Sequence, residues 1–256
     1  MLQNMQNVVR QAAKLFMEGA LQSVPFSSKE GNNNFVTKYD SAIEAKIKGE
    51  LQKLYPDIEF LGEEGSYQLQ SDRYFVLDPI DGTANFIHHH RHSVISLAYC
   101  EKGEPILACV YNPQDEEMFC AQKGAGATLN GQPIHVSNRP LQHALVSFGT
   151  APYYPELTKK SFALAQKLFD YCEDLRRLGA AALQLCYIAA GREDFFFEYI
   201  LQPWDFSAGA LIVTEAGGVA VTMENTPLPC DKPAGIIAGT RESCQEFFKQ
   251  KFLENI

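Results

Sequence analysis

Acidic side chains gather at a few places along this chain, and their neighbours are more telling than their number. Asp78 and Asp81 stand three residues apart around Pro79. Glu63 and Glu64 lie between Gly62 and Gly65, and Asp205 follows Trp204 far downstream. Carboxylates collected at the ends of elements suit a hard cation that takes oxygen ligands. Proline and glycine beside them let the backbone turn sharply, so that a main-chain carbonyl such as that of Ile80 can join the shell. Gly82 and the hydroxyl of Thr83 come next, at what reads as a helix N-terminus. Backbone N–H groups there point outward and the helix dipole favours an anion, which makes a phosphate seat. Cation ligands beside an anion seat describe a metal-assisted phosphatase. A bare pair of aspartates reads equally well as a capped turn. The full run Asp78-Pro79-Ile80-Asp81-Gly82-Thr83-Ala84-Asn85-Phe86 is far more specific.

These groups need elements to position them. Apolar residues at Met5, Val8, Val9, Ala12, Leu15 and Phe16 predict a helix from Leu2 to Ala20. Gly31-Asn32-Asn33-Asn34 is a loop by composition. Asp40 is expected to cap a second helix that carries Ile43, Ile47, Leu51 and Leu54 on one face and stops at Pro56-Asp57. Tyr74 to Leu77 reads as a buried strand ending at Asp78-Pro79. Between Ser93 and Val136, antiparallel strands are expected around turns at Lys102-Gly103, Asn112-Pro113, Lys123-Gly124 and Asn130-Gly131. The second half alternates: helices near 155–170 and 179–190, a strand at Phe195-Phe196-Phe197, then a helix from Asp205 to Glu215 stopped by Gly217-Gly218. A strand near Gly235 to Ala238 and a helix from Glu242 close the chain. The expected class is α/β (α+β layered). It reads as two tightly joined halves, 1–145 carrying the metal-binding boxes and 146–256 completing the site.

Composition narrows the function further. With 256 residues, 46% of them hydrophobic and 21% charged, the chain can bury a sizeable core without disulfides or a structural metal. Its net charge of −9 gives no broad positive field to attract nucleic acid or an anionic membrane surface, and neither is an expected partner. An anionic substrate would then depend on bound cations to invert the local field. Seven scattered cysteines without a C-x-x-C pair suggest neither a zinc ribbon nor a disulfide framework. The polar Met1 to Arg10 stretch lacks the apolar core of a signal peptide, and no window approaches a membrane span. A cytoplasmic protein with reduced thiols is expected.

Gly62-Glu63-Glu64, Asp78 to Thr83, and Trp204-Asp205-Phe206-Ser207-Ala208-Gly209 together resemble the signatures of the inositol monophosphatase family. Val36-Thr37-Lys38-Tyr39-Asp40 and Thr214-Glu215-Ala216-Gly217-Gly218 extend the likeness over nearly the whole chain. The resemblance implies an alternating αβαβα sandwich, a homodimer, Mg²⁺ dependence and inhibition by Li⁺. It assigns Glu63, Asp78 and the Ile80 carbonyl to one Mg²⁺. Asp78, Asp81 and Asp205 would hold a second, with room for a weaker third near Glu63. Thr83, Asp40 and Glu63 form the implied catalytic group, the first two positioning and activating the attacking water. On the substrate side stand Asp81, Gly82, Thr83, Ala181, Glu198 and Asp205, with the Gly82 and Thr83 N–H groups on the phosphate and Ala181 and Glu198 near the alcohol. Lys29 matches a mobile-loop lysine of the family, or reads as a solvated loop charge. The chemistry agrees: all-oxygen donors favour Mg²⁺ over zinc, and paired ions stabilise both attacking and leaving oxygens.

His88-His89-His90-Arg91-His92 departs from the family, which usually has a glycine and a proline there. Without accompanying Cys or carboxylate ligands it reads as a solvated loop rather than a zinc site, with Arg91 or a neighbouring histidine available to an unusual substrate group. The substrate expected first is inositol 1-phosphate. Fructose 1,6-bisphosphate, histidinol phosphate and 3′-phosphoadenosine phosphate are the alternatives, and a non-catalytic regulatory binding protein is a third reading.

Overall fold

The computed structural model describes residues 1–22, 25–28, 35–65, 68–254 and 256, so Lys29 and the Gly31-to-Asn34 loop lie outside the described residues. The apolar stripe through Met5, Val9, Ala12 and Phe16 is the buried face of helix α1 (Leu2–Ala20). A short antiparallel pair, β1 (Phe26–Ser28) and β2 (Phe35–Thr37), leads into α2 (Lys38–Leu54). Asp40 is not the cap of α2. Thr37 holds that position and Asp40 sits at the third helical residue, its Oδ2 accepting from the Thr37 N–H at 2.8 Å. A hydroxyl followed three residues later by an acid makes a reciprocal capping box, and here it displaces the simpler single cap.

The first large sheet follows: β3 (Glu59–Gly62), β4 (Arg73–Asp81), β5 (Val94–Glu101), β6 (Glu104–Asn112), β7 (Glu117–Gln122), β8 (Gly126–Leu129) and β9 (Gln132–Pro133), in spatial as in chain order. One short helix, α3 (Thr83–Ile87), interrupts it between β4 and β5. The β3–β4 pair is parallel and the rest antiparallel. Lys102-Gly103 and Asn130-Gly131 both turn with φ positive at each residue (+52° and +78°; +50° and +80°), the geometry that matches the twist of hairpin strands.

Strand β4 does not stop at Asp78-Pro79 as its sequence suggests. It continues to Asp81, but its pairing with β5 shifts between Asp78 and Asp81. Proline has no N–H for the ladder, so the strand bulges there instead of ending.

After a 3₁₀ turn at Leu141–His143 come β10 (Leu145–Phe148), α4 (Pro155–Phe169), β11 (Asp174–Arg176), α5 (Ala181–Ala189), β12 (Phe195–Leu201), α6 (Pro203–Glu215), β13 (Val219–Thr222), β14 (Ala234–Gly239) and α7 (Arg241–Lys249). Their sheet runs β11-β10-β12-β14-β13, with β10 parallel to both neighbours. Helix α6 begins at Pro203, two residues before the expected Asp205, because proline suits the first helical position and Gln202 caps it. Helix α7 likewise begins at Arg241, capped by Thr240, whose Oγ1 accepts from the Ser243 N–H.

The layers alternate. Helices α1 and α2 cover one face of the first sheet, α5 and α6 lie between the two sheets, and α4 and α7 cover the far face of the second. This is an αβαβα sandwich. Position explains composition: α6, enclosed between sheets, buries the whole run Phe206 to Val213, whereas α1 buries one stripe. Among the described residues no helix is long and apolar enough to cross a membrane.

The α1–α2–α3 contact leaves no spare room. A Cβ on Gly19 would come within 2.6 Å of Phe86 Cζ and 2.7 Å of Tyr39 Cδ2. Gly19→Ala is therefore expected to lower stability by about 1–3 kcal/mol through overpacking, read from the urea midpoint. An unchanged midpoint would mean that the packing between α1 and α3 is loose.

Candidate active site

The bulge in β4 is what brings two aspartates to one place. Residues three apart in a regular strand face opposite ways. With the pairing broken, Asp78, Ile80 and Asp81 all line the same cavity of about 680 Å³. Asp78 is 2% exposed, and its Oδ1 accepts from the Ile80 N–H at 2.9 Å, a local turn that fixes the carboxylate. Asp81, 6% exposed, meets the start of α5. Its Oδ1 accepts from the Ala181 N–H at 3.1 Å and its Oδ2 from those of Ala182 and Leu183 at 2.8 and 3.4 Å. Those are helix-terminal donors with no partner inside the helix, and the dipole favours the negative group.

Glu63, Gly82, Thr83, Ala181, Glu198 and Asp205 line the same cavity. Glu63 follows β3, where its N–H donates to the Leu77 carbonyl at 3.2 Å and keeps it beside Asp78. Asp205 sits in the first turn of α6, its Oδ2 accepting from the Gln202 N–H at 2.7 Å. The Thr83 hydroxyl lies 3.1 Å from the Ile80 carbonyl and 3.4 Å from Asp40 Oδ1, and can donate to either. Asp40 does not line the cavity. It is buried behind Thr83, with its Oδ2 held at 2.6 Å by the Thr37 hydroxyl.

Residues 1–255 of the 256 match the inositol monophosphatase family. The chain belongs to that family. Proteins named Nus factor SuhB from Salmonella typhimurium and Escherichia coli K12 are each 42% identical to it over 196 residues, 75% of this chain and 73% of theirs. Among solved structures, the Thermotoga maritima IMPase superposes with a TM-score of 0.87 at 33% identity, covering 97% of this chain and 96% of its own. The SuhB extragenic suppressor protein from Bartonella henselae gives 0.88 at 32%, over 100% and 98%. An inositol monophosphate-bound SaIMPase-II gives 0.83 at 28%, over 99% and 94%.

In this family member the donors around the cavity are oxygens: carboxylates of Glu63, Asp78, Asp81 and Asp205, and the Ile80 carbonyl, with no Cys or His in the lining. Such a set suits Mg²⁺. Among the described residues, no three His, Cys, Asp or Glu side chains stand close enough to enclose an ion unaided. Protein donors would thus supply part of each shell, and Mg²⁺ ordinarily keeps several waters. The electrostatics point the same way. Burial, then the charges of Glu63, Asp81, Asp205 and Asp40, push Asp78 well above the usual carboxylate range. Burial, then Asp81 and Glu63, does the same to Asp205. Burial lifts Asp81 to about 7 against the lowering effect of the α5 N–H groups. A divalent cation would reverse the sign of that local field.

Glu198 is no surface carboxylate. It is 7% exposed in β12, its Oε1 accepts from the Ala151 N–H at 3.0 Å, and its carboxylate passes so close to Gly149 that a Cβ there would lie 1.9 Å away. Three further residues carry parts of the site that the motifs do not announce. Glu44, one helical turn after Asp40 on the buried face of α2, accepts from the Glu64 N–H at 3.0 Å and steadies the Gly62-Glu63-Glu64 turn. An acid at a buried helical position was the available signal. Arg177 and Gln184 line the cavity without any local pattern to mark them. The histidine run does not: His88, His89 and His90 are exposed, Arg91 pairs with Asp115, and none of the five residues lines the cavity. The expected meeting of Arg91 or a histidine with substrate is therefore not supported, because the Asn112-to-Asp115 turn holds Arg91 elsewhere.

Burial raises Glu198 from 4.5 to about 7. Between those values the unfolded chain is ionised at Glu198 while the folded chain keeps the proton, so stability falls as pH rises through that window. In cation-free protein, Glu198→Gln is expected to exceed wild type by up to about 3 kcal/mol at pH 8 and to match it at pH 4, by urea unfolding. A difference that does not vary with pH would mean the carboxylate ionises freely in place.

Proposed function

We propose that this chain hydrolyses a small phosphate monoester with Mg²⁺, inositol 1-phosphate first among its substrates. The observation that carries the reading is that Glu63, Asp78, Asp81, Asp205 and Thr83, from three separate stretches of chain, line one cavity. Glu63, Asp78 and the Ile80 carbonyl would hold one Mg²⁺, and Asp78, Asp81 and Asp205 a second, with a weaker third near Glu63. When bound, such ions acidify water and neutralise charge on the phosphate and on the departing oxygen. The chain's own residues do the rest. Asp40, fixed by Thr37, can take the hydrogen bond of Thr83, which turns a Thr83 lone pair to the attacking water and orients it. The N–H groups of Gly82 and Thr83 would seat the phosphate, and Ala181 and Glu198 would meet the alcohol. A cytoplasmic homodimer, with halves 1–145 and 146–256 acting as one unit, completes the reading.

A second role is favoured by the relatives named Nus factor SuhB. It would engage a protein partner beside the hydrolytic site, since a net charge of −9 disfavours direct nucleic-acid binding.

Phosphate release would be measured with and without Mg²⁺ on inositol 1-phosphate, glycerol 2-phosphate, fructose 1,6-bisphosphate, histidinol phosphate and 3′-phosphoadenosine 5′-phosphate. Mg²⁺-dependent turnover led by inositol 1-phosphate is expected, and a different leading substrate would move the assignment within the superfamily. Silence throughout, with the protein folded, would leave the partner-binding role. Asp81→Asn is expected to cut turnover by two or more orders of magnitude, as loss of a transition-state electrostatic group does. Near wild-type turnover in that variant would remove Asp81 from the metal assignment.

A further inference from the structure

One buried polar group at the site lacks a partner among the described residues. Gln184 is 1% exposed and lines the cavity, yet among the described residues its side-chain Nε2 has no hydrogen-bond partner. An amide NH₂ carries two donors, and leaving them dry and unpaired is costly to the fold. Its backbone is not the reason, because the Gln184 N–H donates to the Ala180 carbonyl at 3.1 Å as an ordinary helical group. Replacement by an apolar side chain of similar length would remove the cost, so the amide is retained at the expense of stability.

Placement suggests what it serves. Gln184 lies three residues after Ala181 on α5, hence on the same helical face, and both residues line the cavity. The first turn of α5 is already committed to Asp81. On another wall stands Glu198, an acceptor whose Oε1 is tied to the Ala151 N–H. Glu198 and Gln184 line one space, and a carboxylate acceptor with an amide donor suits a hydroxyl group, which donates a hydrogen bond to the first and accepts one from the second. A bare alkyl or aryl group would leave both unsatisfied. The phosphate itself is provided for at Gly82 and Thr83, and a cation has no use for a group that only donates.

We propose that Gln184 is a specificity-determining residue. Its Nε2 donates to a hydroxyl oxygen on the alcohol portion of the ester, so that the cavity selects polyol phosphates over esters of plain alcohols. The inference rests on the phosphatase reading above and deepens it.

The test compares wild type with Gln184→Met and, as a second donor-free variant, Gln184→Leu. Activity with Mg²⁺ is measured on inositol 1-phosphate and on cyclohexyl phosphate, which has the same ring without hydroxyls. Wild type is expected to favour inositol 1-phosphate in kcat/KM, and the variants to lose on the order of tenfold of that preference, as one buried hydrogen bond is worth. The Tm of the substrate-free variants is expected to rise by a few degrees, since a purely structural amide would make it fall. Equal losses on both substrates, an unchanged ratio, or a lowered Tm in both variants would overturn the role of Gln184 while leaving the phosphatase reading intact. Failure of wild type to hydrolyse any ester of the panel above with Mg²⁺ would instead remove the phosphatase reading, and this inference with it.

Discussion

Asp78 and Asp81 sit within one bulge of β4, both nearly out of water, with Glu63 and Asp205 lining the same cavity. Like charges held together in a poorly screened interior repel by several kcal/mol, and each must also give up its hydration. The fold offsets part of this by aiming the start of α5 at Asp81, where three successive backbone N–H groups converge on one carboxylate. That contact joins residues about a hundred positions apart in the chain. It sets where the middle helical layer begins, and with it the positions of Ala181 and Gln184 on the cavity wall.

The other acids are held more locally. Asp40 and Asp205 each occupy the third position of their helix and accept from the backbone N–H of the residue that caps it. Asp78 accepts from Ile80, two residues on. Each aspartate of the site is thus fixed by main-chain donors, which cost little entropy to hold still and do not change protonation. A cavity built this way has its charges in place before any ligand arrives. The rise in carboxylate pKa is the opposing cost, and it is one that a bound cation relieves.

Much of this is legible in the amino-acid order because motif and local geometry coincide. Val36 to Asp40, Gly62 to Glu64, Asp78 to Thr83 and Trp204 to Gly209 each encode a turn or helix start together with its functional side chain. The layered class and the hairpins follow from period and from Gly-containing turns such as Asn130-Gly131. Three details escape. Pro79 predicts the end of a strand when it makes a bulge within one, because only the neighbouring strand β5 shows that pairing resumes. Asp40 reads as a cap and Asp205 as a helix start when Thr37 and Gln202 are the caps, since capping residues and their box partners draw on similar side chains. Gln184 looks unremarkable in sequence, because its burial is imposed by the fold of α5 against distant strands, and Glu198 is placed by the family resemblance while its burial comes from the loop at Gly149 to Ala151.

Helix α6 also reaches well beyond the site. Asp205 stands in its first turn, while Glu215 at its last residue accepts from the Gly124 and Gly126 N–H groups of the β7–β8 hairpin, at 2.8 Å each. The helix therefore carries a cavity carboxylate at one end and is tied to the β7–β8 hairpin at the other. Adding or removing one residue within it would advance one end by about 1.5 Å and rotate it by about 100° relative to the other. Either the hairpin or the carboxylate would then be lost from its station. The residue count between Asp205 and Glu215 is accordingly a fixed dimension of the molecule, a spacer whose length sets both stations at once.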